Sequence, residues 1–510
     1  MCSVLAQQGA NEGHLLPRCD AAATVGLFVS PDSNQTEALT RSSSMKNLEN
    51  RFAIVGAGPN GLIAARAFKR AGLDFDILER HDAIGGIWNI DNPESPVYES
   101  CNFISDRVSS AFVGYPMPED YPVFPTWRHV RDFIQAFARD HDLEGSVTFG
   151  KEVTNARPVE TENGQRWVVE TSDGEQAMYR GVVWACGLQR TPYMPEIKGL
   201  EDFEGEVYHS RKYKSVSQIV GKRVLVIGAG NSGVDIVCDA AVAGEAAHLS
   251  TRRGYWFFPK LVFGQPILQI LSRAGRVPQN VTPLEELTPA EAMQLALESV
   301  GDLSDFGLQK PDHEVGATHF VMNDQVLYQI AHGHLEPHQD VKSVSGKTVE
   351  FVDGTSAEVD VIICATGYVF DIPWLDPELV DWVEDSPAFH LGTMSSKVEG
   401  LYAAGAVHFP GLTYFTWDRL IQIAAWDAKR LMTGEGQEFV DEIMSYKPVL
   451  KNDNLVKTHR NINQYDMEKL LAMTEEMQNR FGIEMPTSPE DDFYSRLPAK
   501  NEAPVLAASS

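Results

Sequence analysis

The hydrophobic pattern of the chain contains a short apolar run, a glycine-rich turn and a helix-forming stretch in succession. Residues 51–55 read RFAIV, glycines follow from Gly56, and residues 62–71 are rich in alanine and other good helix formers. A second apolar run follows at 74–79. Short apolar runs between turn residues are typical of buried strands, so this order predicts a βαβ unit.

The same succession occurs again further along the chain. An apolar run at 223–227 precedes a glycine-rich turn at 228–233, a helical stretch at 234–243 and another apolar run at 246–250. Two such units predict an α/β fold with two Rossmann-like dinucleotide-binding domains. The sequence after residue 416 predicts a helical C-terminal part.

The composition limits the expected partners. The 510 residues include 43 Lys and Arg against 71 Asp and Glu, which gives a net charge of −28 at pH 7. Such a surface repels nucleic-acid phosphates, so no nucleic-acid partner is expected. The six cysteines are scattered without a CxxC pair, and neither a disulfide framework nor a metal site is predicted.

Neither a secretory signal nor a membrane-spanning segment is predicted. Residues 1–44 lack a basic region followed by a long apolar one, and no apolar run reaches the roughly 18 residues of a spanning helix. The interrupted apolar stretch at 255–271 has three alternatives: buried core, a substrate tunnel, or a weak contact with a membrane surface. A cytoplasmic protein is expected, with a dimer among the candidate assemblies.

The first glycine turn has the spacing of a dinucleotide-binding motif. In residues 56–61, GAGPNG, the glycines permit a tight turn, the close approach of a pyrophosphate and close helix packing. Glu79 ends the next strand, where a carboxylate can accept hydrogen bonds from both ribose hydroxyls. The candidate cofactor-binding residues of this unit are Gly56, Gly58, Pro59, Asn60, Gly61, Glu79 and Arg80.

The second glycine turn repeats the spacing but leads to a different strand end. Its second strand runs into residues 250–253, STRR. Guanidinium groups suit the 2′-phosphate of NADPH, which a carboxylate would repel. Two sites of opposite ribose chemistry therefore predict FAD in the first and NADPH in the second. The candidate NADPH-binding residues are Gly228, Gly230, Asn231, Ser232, Gly233, Thr251, Arg252 and Arg253.

These motifs and changes in composition predict the division of the chain. The small polar residues at the start predict a disordered extension, and the proline-rich end predicts a flexible tail. The predicted parts are the extension at 1–48, a first part of the FAD-binding domain at 49–206, the NADPH-binding domain with the apolar insertion at 207–358, a second part of the FAD-binding domain at 359–450, C-terminal helices at 451–485 and the tail at 486–510.

A segment just ahead of the second glycine turn is similar to a family fingerprint. Residues 203–214, FEGEVYHSRKYK, resemble the FxGxxxHxxx(Y/F)(K/R) pattern of flavin-containing monooxygenases. The related Baeyer–Villiger pattern ends in Trp and Pro or Asp, so Tyr213 and Lys214 favour the first family. The resemblance extends over about 50–450 and includes the GGIW loop at 85–88, the proline-rich segment at 117–122 and the ATGY strand end at 365–368.

The resemblance implies further site residues and shows one departure. Many members carry an Asn over the flavin, and Ile104 stands at that position here. Because an aliphatic side chain forms no hydrogen bond, Ser105, Asp106 or Asn102 takes over the role, or the oxygenating intermediate is less protected. The implied catalytic residues are Ser105, Asp106, Arg107 and His209, and the implied cofactor contacts are Gly86, Ile87, Trp88, Val153, Thr366 and Gly367.

Two of the implied catalytic residues have alternative roles. Arg107 is expected to hold the nicotinamide or to stabilise a peroxyanion, and the alternative is a surface salt bridge. For His209, a link between domains through hydrogen bonds is preferred over acid–base catalysis.

The function that the resemblance implies is an NADPH-dependent flavin monooxygenase, similar to N,N-dimethylaniline monooxygenase. In that family a C4a-hydroperoxyflavin passes one oxygen atom of O2 to a soft nucleophile, an amine nitrogen or a sulfide sulfur. The alternatives are Baeyer–Villiger oxygenation of a ketone or aldehyde, and a redox-sensing or NADPH oxidase flavoprotein without productive oxygenation. An NADPH:disulfide reductase is excluded because the chain has no proximal cysteine pair.

Overall fold

The structure is a computed structural model that describes residues 45–273, 288–383, 386–406, 413–435, 441 and 467–483. Residues 1–44 of the predicted extension and the predicted tail at 486–510 lie outside the described residues. The strands are β1 Lys46–Val55, β2 Asp74–Leu78, β3 Val147–Thr148, β4 Val153–Thr161, β5 Gly164–Thr171, β6 Gln176–Trp184, β7 Thr191–Pro192, β8 Glu206–His209, β9 Arg223–Ile227, β10 Ala246–Ser250, β11 Leu261–Val262, β12 Gln265–Pro266, β13 Glu336–His338, β14 Val341–Ser345, β15 Thr348–Phe351, β16 Ser356–Glu358, β17 Val361–Cys364, β18 Tyr368–Val369, β19 Asp381–Val383, β20 Ser386–Ala388 and β21 Leu401–Ala403. The helices are α1 Pro59–Arg70, α2 Trp127–Asp140, α3 Asn231–Ala243, α4 Ile267–Arg273, α5 Pro289–Glu298, α6 Gln325–Ala331, α7 Thr413–Thr433 and α8 Met467–Phe481.

The first sheet contains the strands on either side of the first glycine turn. Its order is β3-β2-β1-β6-β5-β4, and β21 pairs with β6. The strands β1, β2, β3, β6 and β21 are parallel, whereas β4 and β5 form an antiparallel extension. Residues 52–55 of β1 are fully buried. Burial on both faces explains why this strand reads as an unbroken apolar run.

The second sheet is entirely parallel, in the order β13-β10-β9-β17-β8. Successive side chains of β9 point to opposite faces. Val224 and Val226 pack with α3 and α6, whereas Leu225 and Ile227 pack with the antiparallel sheet β14-β15-β16. The predicted α/β fold class with two Rossmann-like domains is confirmed, although a small β-sheet covers one face of the second domain.

The strand β17 differs from the predicted domain division. The sequence assigned residues from 359 onward to the FAD-binding domain. In the structure Val361–Cys364 pairs with β9 on one side and β8 on the other, so it belongs to the second sheet. After β17 the chain returns to the first sheet, where Leu375 forms a bridge with Ala156 of β4 and β21 pairs with β6. The reason for the error is that a short, fully buried apolar strand reads the same in either sheet.

The apolar insertion forms the hairpin β11–β12 and the helix α4. Phe258, Ile267 and Ile270 lie in one buried cluster with Ala292 and Ala296 of α5. These residues of the insertion are core, in line with the first of its three alternatives, whereas Leu261 and Phe263 of the hairpin are exposed. Among the described residues, no helix combines the length and the apolar character needed to cross a membrane.

Candidate dinucleotide sites and active centre

The first glycine turn joins β1 to α1 at the carboxyl end of the first sheet. Gly56 has a φ of +113°, and a Cβ at this position would lie 2.7 Å from the Ala185 carbonyl oxygen. A Cβ on Gly61 would lie 2.0 Å from the Gly56 carbonyl oxygen. The protein's own packing therefore requires glycine at both positions, as the motif predicted.

Gly58 differs from these two glycines because no contact within the protein requires it. Its φ of −79° is open to any residue. A Cβ there would meet only the Gly86 Cα, at an ordinary 3.6 Å. Gly58 is the N-cap residue of α1 and provides no side-chain cap, so the first amide groups of the helix are available to an anion. The turn fits a pyrophosphate that lies against Gly58.

The side-chain cap that α1 lacks is present elsewhere in the chain. At the start of α5, Thr288 and Glu291 form a reciprocal capping box. Helix α3 has Gly230 as its N-cap residue and, like α1, has no side-chain cap. Within the described chain, both dinucleotide turns thus leave their helix amides to a ligand.

Two polar side chains with buried oxygen atoms lie beside the first turn. The Asn60 Oδ1 atom is buried and has no hydrogen-bond partner among the described residues. Glu79 is 5% exposed; its Oε2 accepts a hydrogen bond from the Ala57 N–H at 2.6 Å and its Oε1 one from the His81 N–H at 3.0 Å. Each carboxylate oxygen keeps a further lone pair. Glu79 is thus fixed at the turn and can still accept bonds from ribose hydroxyls.

The GGIW loop at 85–88 packs onto the same turn. The Gly85 N–H donates to the Ala57 carbonyl at 3.2 Å. A Cβ on Gly86 would lie 2.9 Å from the Gly58 Cα, so the two backbones touch. Ile87 and Trp88 continue this loop as a short 3-10 helix, and the Trp88 ring lies 4.7 Å from the Phe103 ring. The loop predicted from the resemblance is therefore next to the predicted FAD site.

Two other predicted FAD contacts have partners within the protein. Arg80 forms an ion pair with Glu94. Val153 lies buried in β4, and the nearby Lys151 N–H donates to the Glu79 carbonyl oxygen at 2.8 Å. Arg80 follows Glu79 in the chain, and Val153 lies two residues after the Lys151 that bonds to Glu79. The contacts of both residues with FAD stay predictions.

The second glycine turn reproduces the geometry of the first. Gly228 has a φ of +103°, and a Cβ there would lie 2.7 Å from the Ala365 carbonyl oxygen. A Cβ on Gly233 would lie 2.0 Å from the Gly228 carbonyl oxygen. Ser232 is half-buried in the first turn of α3. Asn231 is held in place, because its amide donates to the Phe320 carbonyl at 3.2 Å and accepts from the Met322 N–H at 2.8 Å.

The predicted 2′-phosphate residues lie at the adjoining strand end. Ser250 of β10 is level with Ile227 of β9, the residue before the second turn. Thr251 is buried, and its N–H donates to the His338 carbonyl at 3.1 Å. Arg252 is exposed, and Arg253 is half-buried. Among the described residues neither arginine forms an ion pair, so both guanidinium groups are available to a phosphate.

Thr366 and Gly367 follow β17 at the same edge of the second sheet. The Thr366 hydroxyl donates to the Tyr193 carbonyl. The Gly367 carbonyl accepts one bond from the Tyr193 N–H and one from His209 Nε2, both at 2.9 Å. Thr366 and Gly367 thus connect the second sheet to the chain around Tyr193. Their contacts with a cofactor stay predictions.

His209 is a structural link in this arrangement. It is 4% exposed, and its Nδ1 accepts a hydrogen bond from the Arg211 N–H at 3.2 Å while Nε2 donates to Gly367. Burial lowers the pKa of His209 below its ordinary value. A neutral imidazole with both nitrogens bonded is poorly placed for proton transfer, so the geometry favours the linking role over the catalytic one.

The other fingerprint residues also hold the two parts of the fold together. The Tyr213 hydroxyl donates to Asp239 Oδ2 of α3 at 2.9 Å. The Lys214 ammonium donates to the carbonyls of Ser95 and Val97, the latter at 3.1 Å. The fingerprint therefore joins the second sheet to the segment that follows the GGIW loop.

The three remaining catalytic candidates lie in one loop and bond to its surroundings. The Ser105 hydroxyl pairs with the Ser110 hydroxyl. Asp106 is 1% exposed and accepts bonds from the Ser109 hydroxyl at 2.7 Å and from the Gln269 amide at 2.6 Å. The Arg107 guanidinium donates to the Tyr121 carbonyl at 3.2 Å. These contacts fix the loop between the proline-rich segment and the insertion.

The environment of Ile104 accounts for its departure from the family pattern. Ile104 packs against the buried cluster formed by Phe258, Ile267 and their neighbours in the insertion. Asn102, one proposed substitute, donates its amide to the Phe124 carbonyl at 3.0 Å. An apolar residue at 104 therefore belongs to the interface with the insertion. Gln269 was not among the predicted site residues, because it lies 163 positions from Asp106 and belongs to no motif.

Comparisons with known proteins agree with this geometry. A family described as flavin-binding monooxygenase-like matches residues 49–399, which include both glycine turns. Dimethylaniline monooxygenase (N-oxide-forming) 2 of Oryctolagus cuniculus is 31% identical over 352 residues, which are 66% of this chain and 65% of that protein. The match thus spans slightly less than two thirds of the length of this relative.

Two solved structures share the fold. The S-allyl-L-cysteine S-oxygenase of Allium sativum has a TM-score of 0.57 at 20% identity, over 88% of this chain and 94% of that one. OTEMO in complex with FAD and NADP has a TM-score of 0.62 at 17% identity, over 86% of this chain and 99% of that one. FAD and NADPH, the cofactors predicted from the sequence, are supported by the family. The chain belongs to the flavin-binding monooxygenase-like family.

Proposed function

We propose that this protein is an FAD- and NADPH-dependent monooxygenase that transfers one oxygen atom of O2 to a soft nucleophile, an amine nitrogen or a sulfide sulfur. One observation carries the proposal. The chain holds two dinucleotide turns of the same geometry, one next to the carboxylate of Glu79 and the other next to Arg252 and Arg253. The first suits a nucleotide with free ribose hydroxyls, and the second suits one with a 2′-phosphate.

Each part of the chain has a distinct task in this proposal. Gly58, Asn60 and Glu79 hold the adenine-nucleotide half of FAD, while the GGIW loop covers the same turn. Bound FAD and NADPH supply the hydride transfer and the reduction of O2. The loop at 104–110 and the insertion that packs on it exclude water from the reacting centre. Asp106 maintains this cover by accepting the hydrogen bond from Gln269.

The substrate class is inferred from relatives and from the local chemistry. One relative is named as N-oxide-forming, and one structural neighbour is named as an S-oxygenase. Nitrogen and sulfur in amines and sulfides are both soft nucleophiles. Ile104 and the apolar insertion favour a substrate with an apolar body next to that nucleophile.

Product analysis tests the proposal against its alternatives. The purified protein is supplied with FAD, NADPH and air, and methyl phenyl sulfide, N,N-dimethylaniline and cyclohexanone are offered separately. We expect a sulfoxide or an N-oxide in amounts close to the NADPH consumed. A lactone from cyclohexanone without either oxide would favour Baeyer–Villiger oxygenation. Hydrogen peroxide equal to the NADPH consumed with every substrate would favour an oxidase or redox sensor.

A further inference from the structure

Three side chains that commonly bind metal ions converge at the outer edge of the second sheet. His248 lies on β10, and Glu336 and His338 lie on the edge strand β13. The His248 Nδ1 atom lies 3.0 Å from His338 Nε2. The Glu336 Oε2 atom lies 3.5 Å from His248 Nδ1 and 4.0 Å from His338 Nε2. All three ligand atoms lie within 4.8 Å of one another.

The strand register brings these residues to one face of the sheet. In the parallel pair β10–β13, His248 is directly opposite Glu336. His338 follows Glu336 by two positions, and side chains two positions apart in a strand share a face. Because the ligands stand on paired strands and not on loops, their arrangement is set by the backbone hydrogen bonds of the sheet.

The ring of His338 is held in a fixed orientation. The Thr355 hydroxyl donates to Asp353 Oδ1 at 2.6 Å, so it accepts the bond from His338 Nδ1 at 3.2 Å. The Phe351 ring stacks on the imidazole with 3.9 Å between the ring centroids. Nδ1 is therefore the protonated nitrogen, and Nε2 directs its lone pair at His248 and Glu336. Histidines that bind metals usually donate their other N–H in this way.

We propose that His248, Glu336 and His338 bind a divalent transition-metal ion, and that zinc fits best. Two imidazoles and one carboxylate are a common zinc ligand set, with a water in the fourth position. Ligand atoms of a tetrahedral zinc ion lie about 3.3 Å apart. A rotation of the exposed Glu336 side chain can bring its two distances, 3.5 and 4.0 Å, close to that value. The 3.0 Å between the two imidazole nitrogens needs a separate widening of about 0.3 Å.

The exposure of the three residues also suits a metal site. Both histidines are buried, at 8% and 6% exposure, while the Glu336 side chain is 66% exposed. Within the part of the chain that the structure describes, the contacts of the Glu336 carboxylate are the two imidazoles. The exposed carboxylate gives the ion a path from solvent to the buried nitrogens.

The site is structural and lies next to the predicted NADPH strand end. The His338 carbonyl accepts the Thr251 N–H at 3.1 Å, and the Ser250 hydroxyl donates to the Gln339 carbonyl at 2.8 Å. A bound ion would tie β13 to β10 just before Arg252. No motif in the sequence indicates this site, because His248 and His338 lie 90 positions apart.

Zinc titration of the untagged, full-length protein tests the proposal. The protein is first treated with a chelator, and ZnCl2 binding is then followed by calorimetry and by the thermal unfolding midpoint. We expect one ion per chain and a rise in that midpoint. Glu336→Gln and Thr355→Val should each weaken zinc binding about 10-fold or more, and His338→Gln should abolish it. Glu245→Gln, an exposed carboxylate ahead of β10, should bind as the wild type does.

Defined results would overturn the proposal. Equal zinc affinity in the wild type, Glu336→Gln and His338→Gln would show that zinc binds elsewhere on the chain. Binding only at millimolar zinc would show that the two histidines are a hydrogen-bonded pair without a metal role. If His338→Gln does not fold, the exposed variants Glu336→Gln and Thr355→Val decide, because neither removes a buried side chain.

Discussion

The choice between NADPH and NADH should depend on Arg252 and Arg253. Both residues follow β10 at the edge of the second sheet, beside the second glycine turn. We expect the double substitution Arg252→Ala with Arg253→Ala to weaken NADPH binding strongly and to leave NADH binding nearly unchanged. The reason is that NADH lacks the 2′-phosphate that the guanidinium groups would bind.

The size of the effect follows from the exposure of the two side chains. A hydrogen bond to a charged group contributes about 1.5–3 kcal/mol when it is sheltered from water. Arg252 is exposed to water. The pKa of Asp312 is lowered mainly by a hydrogen bond from His313 and, to a smaller extent, by the positive charge of Arg253. Both features favour the lower end of the range for each hydrogen bond. We therefore expect a loss of about 2–3 kcal/mol for the two arginines together, which raises the NADPH dissociation constant roughly 30- to 150-fold.

The assay follows a single reduction of the flavin in the absence of O2, and measures the dissociation constant and the limiting rate constant of this step for NADPH and for NADH. Arg128→Ala serves as the matched control, because Arg128 is an exposed arginine paired with Glu99. The control should show both coenzymes unchanged. Salt should weaken NADPH binding by the wild type more than by the double variant, since charge pairs are screened.

Two results would refute the assignment. An equal loss of affinity for NADPH and NADH would mean that the arginines support the fold of the site and do not bind the 2′-phosphate. Unchanged NADPH binding in the double variant would mean that the phosphate lies elsewhere.

Three further predictions concern the flavin turn, the fingerprint histidine and the pH dependence of stability. Gly58→Val should fold normally but purify with little flavin, because a side chain there meets only Gly86 within the protein and would fill the place of the pyrophosphate; flavin absorbance per chain measures this. His209→Gln should lower the unfolding free energy by about 1 kcal/mol without changing the pH profile of kcat, since its nitrogens only join backbone groups. Burial lowers the pKa of His390 from 6.5 to about 4. Below pH 6.5 the unfolded chain therefore takes up a proton that the folded chain does not, and stability falls on acidification, by about 2 kcal/mol at pH 5 from this residue; urea unfolding at pH 7 and pH 5 measures the difference between wild type and His390→Leu.

Each of these predictions has a control and a contrary outcome. Gly145→Val, in open space without a positive φ, should keep its flavin, and a fully flavinated Gly58→Val protein would contradict the pyrophosphate assignment. A folded His209→Gln protein that loses kcat more than about 100-fold would restore the catalytic role. The exposed His332→Gln variant should retain the acid sensitivity of the wild type, whereas acid sensitivity that persists in His390→Leu would count against His390 as its source.

The parts of the fold that were predicted correctly are those with a local pattern. Both glycine turns were found because Gly56 and Gly228 serve the same packing against a neighbouring strand, at 2.7 Å in each case. Glu79 and Arg252 each follow the second strand of their unit, and their opposite ribose chemistry stays a prediction. The predicted cytoplasmic location and dimeric assembly stay predictions.

The parts that were missed depend on contacts between distant segments. The strand β17 was assigned to the wrong sheet because its apolar run carries no information about its partners. The bond from Gln269 to Asp106 and the cluster around His338 join residues that are 163 and 90 positions apart. In the sequence, single polar residues of this kind cannot be distinguished from ordinary surface or core residues. Only the folded structure shows that they lie next to each other.

The most direct test of the central claim follows the oxygen atom itself. The FAD-loaded protein is incubated with NADPH, methyl phenyl sulfide and 18O-labelled O2, and the sulfoxide is analysed by mass spectrometry. The account predicts one 18O atom in each sulfoxide molecule and one NADPH consumed for each. Sulfoxide without the label, or NADPH consumption that yields only hydrogen peroxide with this sulfide and with N,N-dimethylaniline, would contradict it.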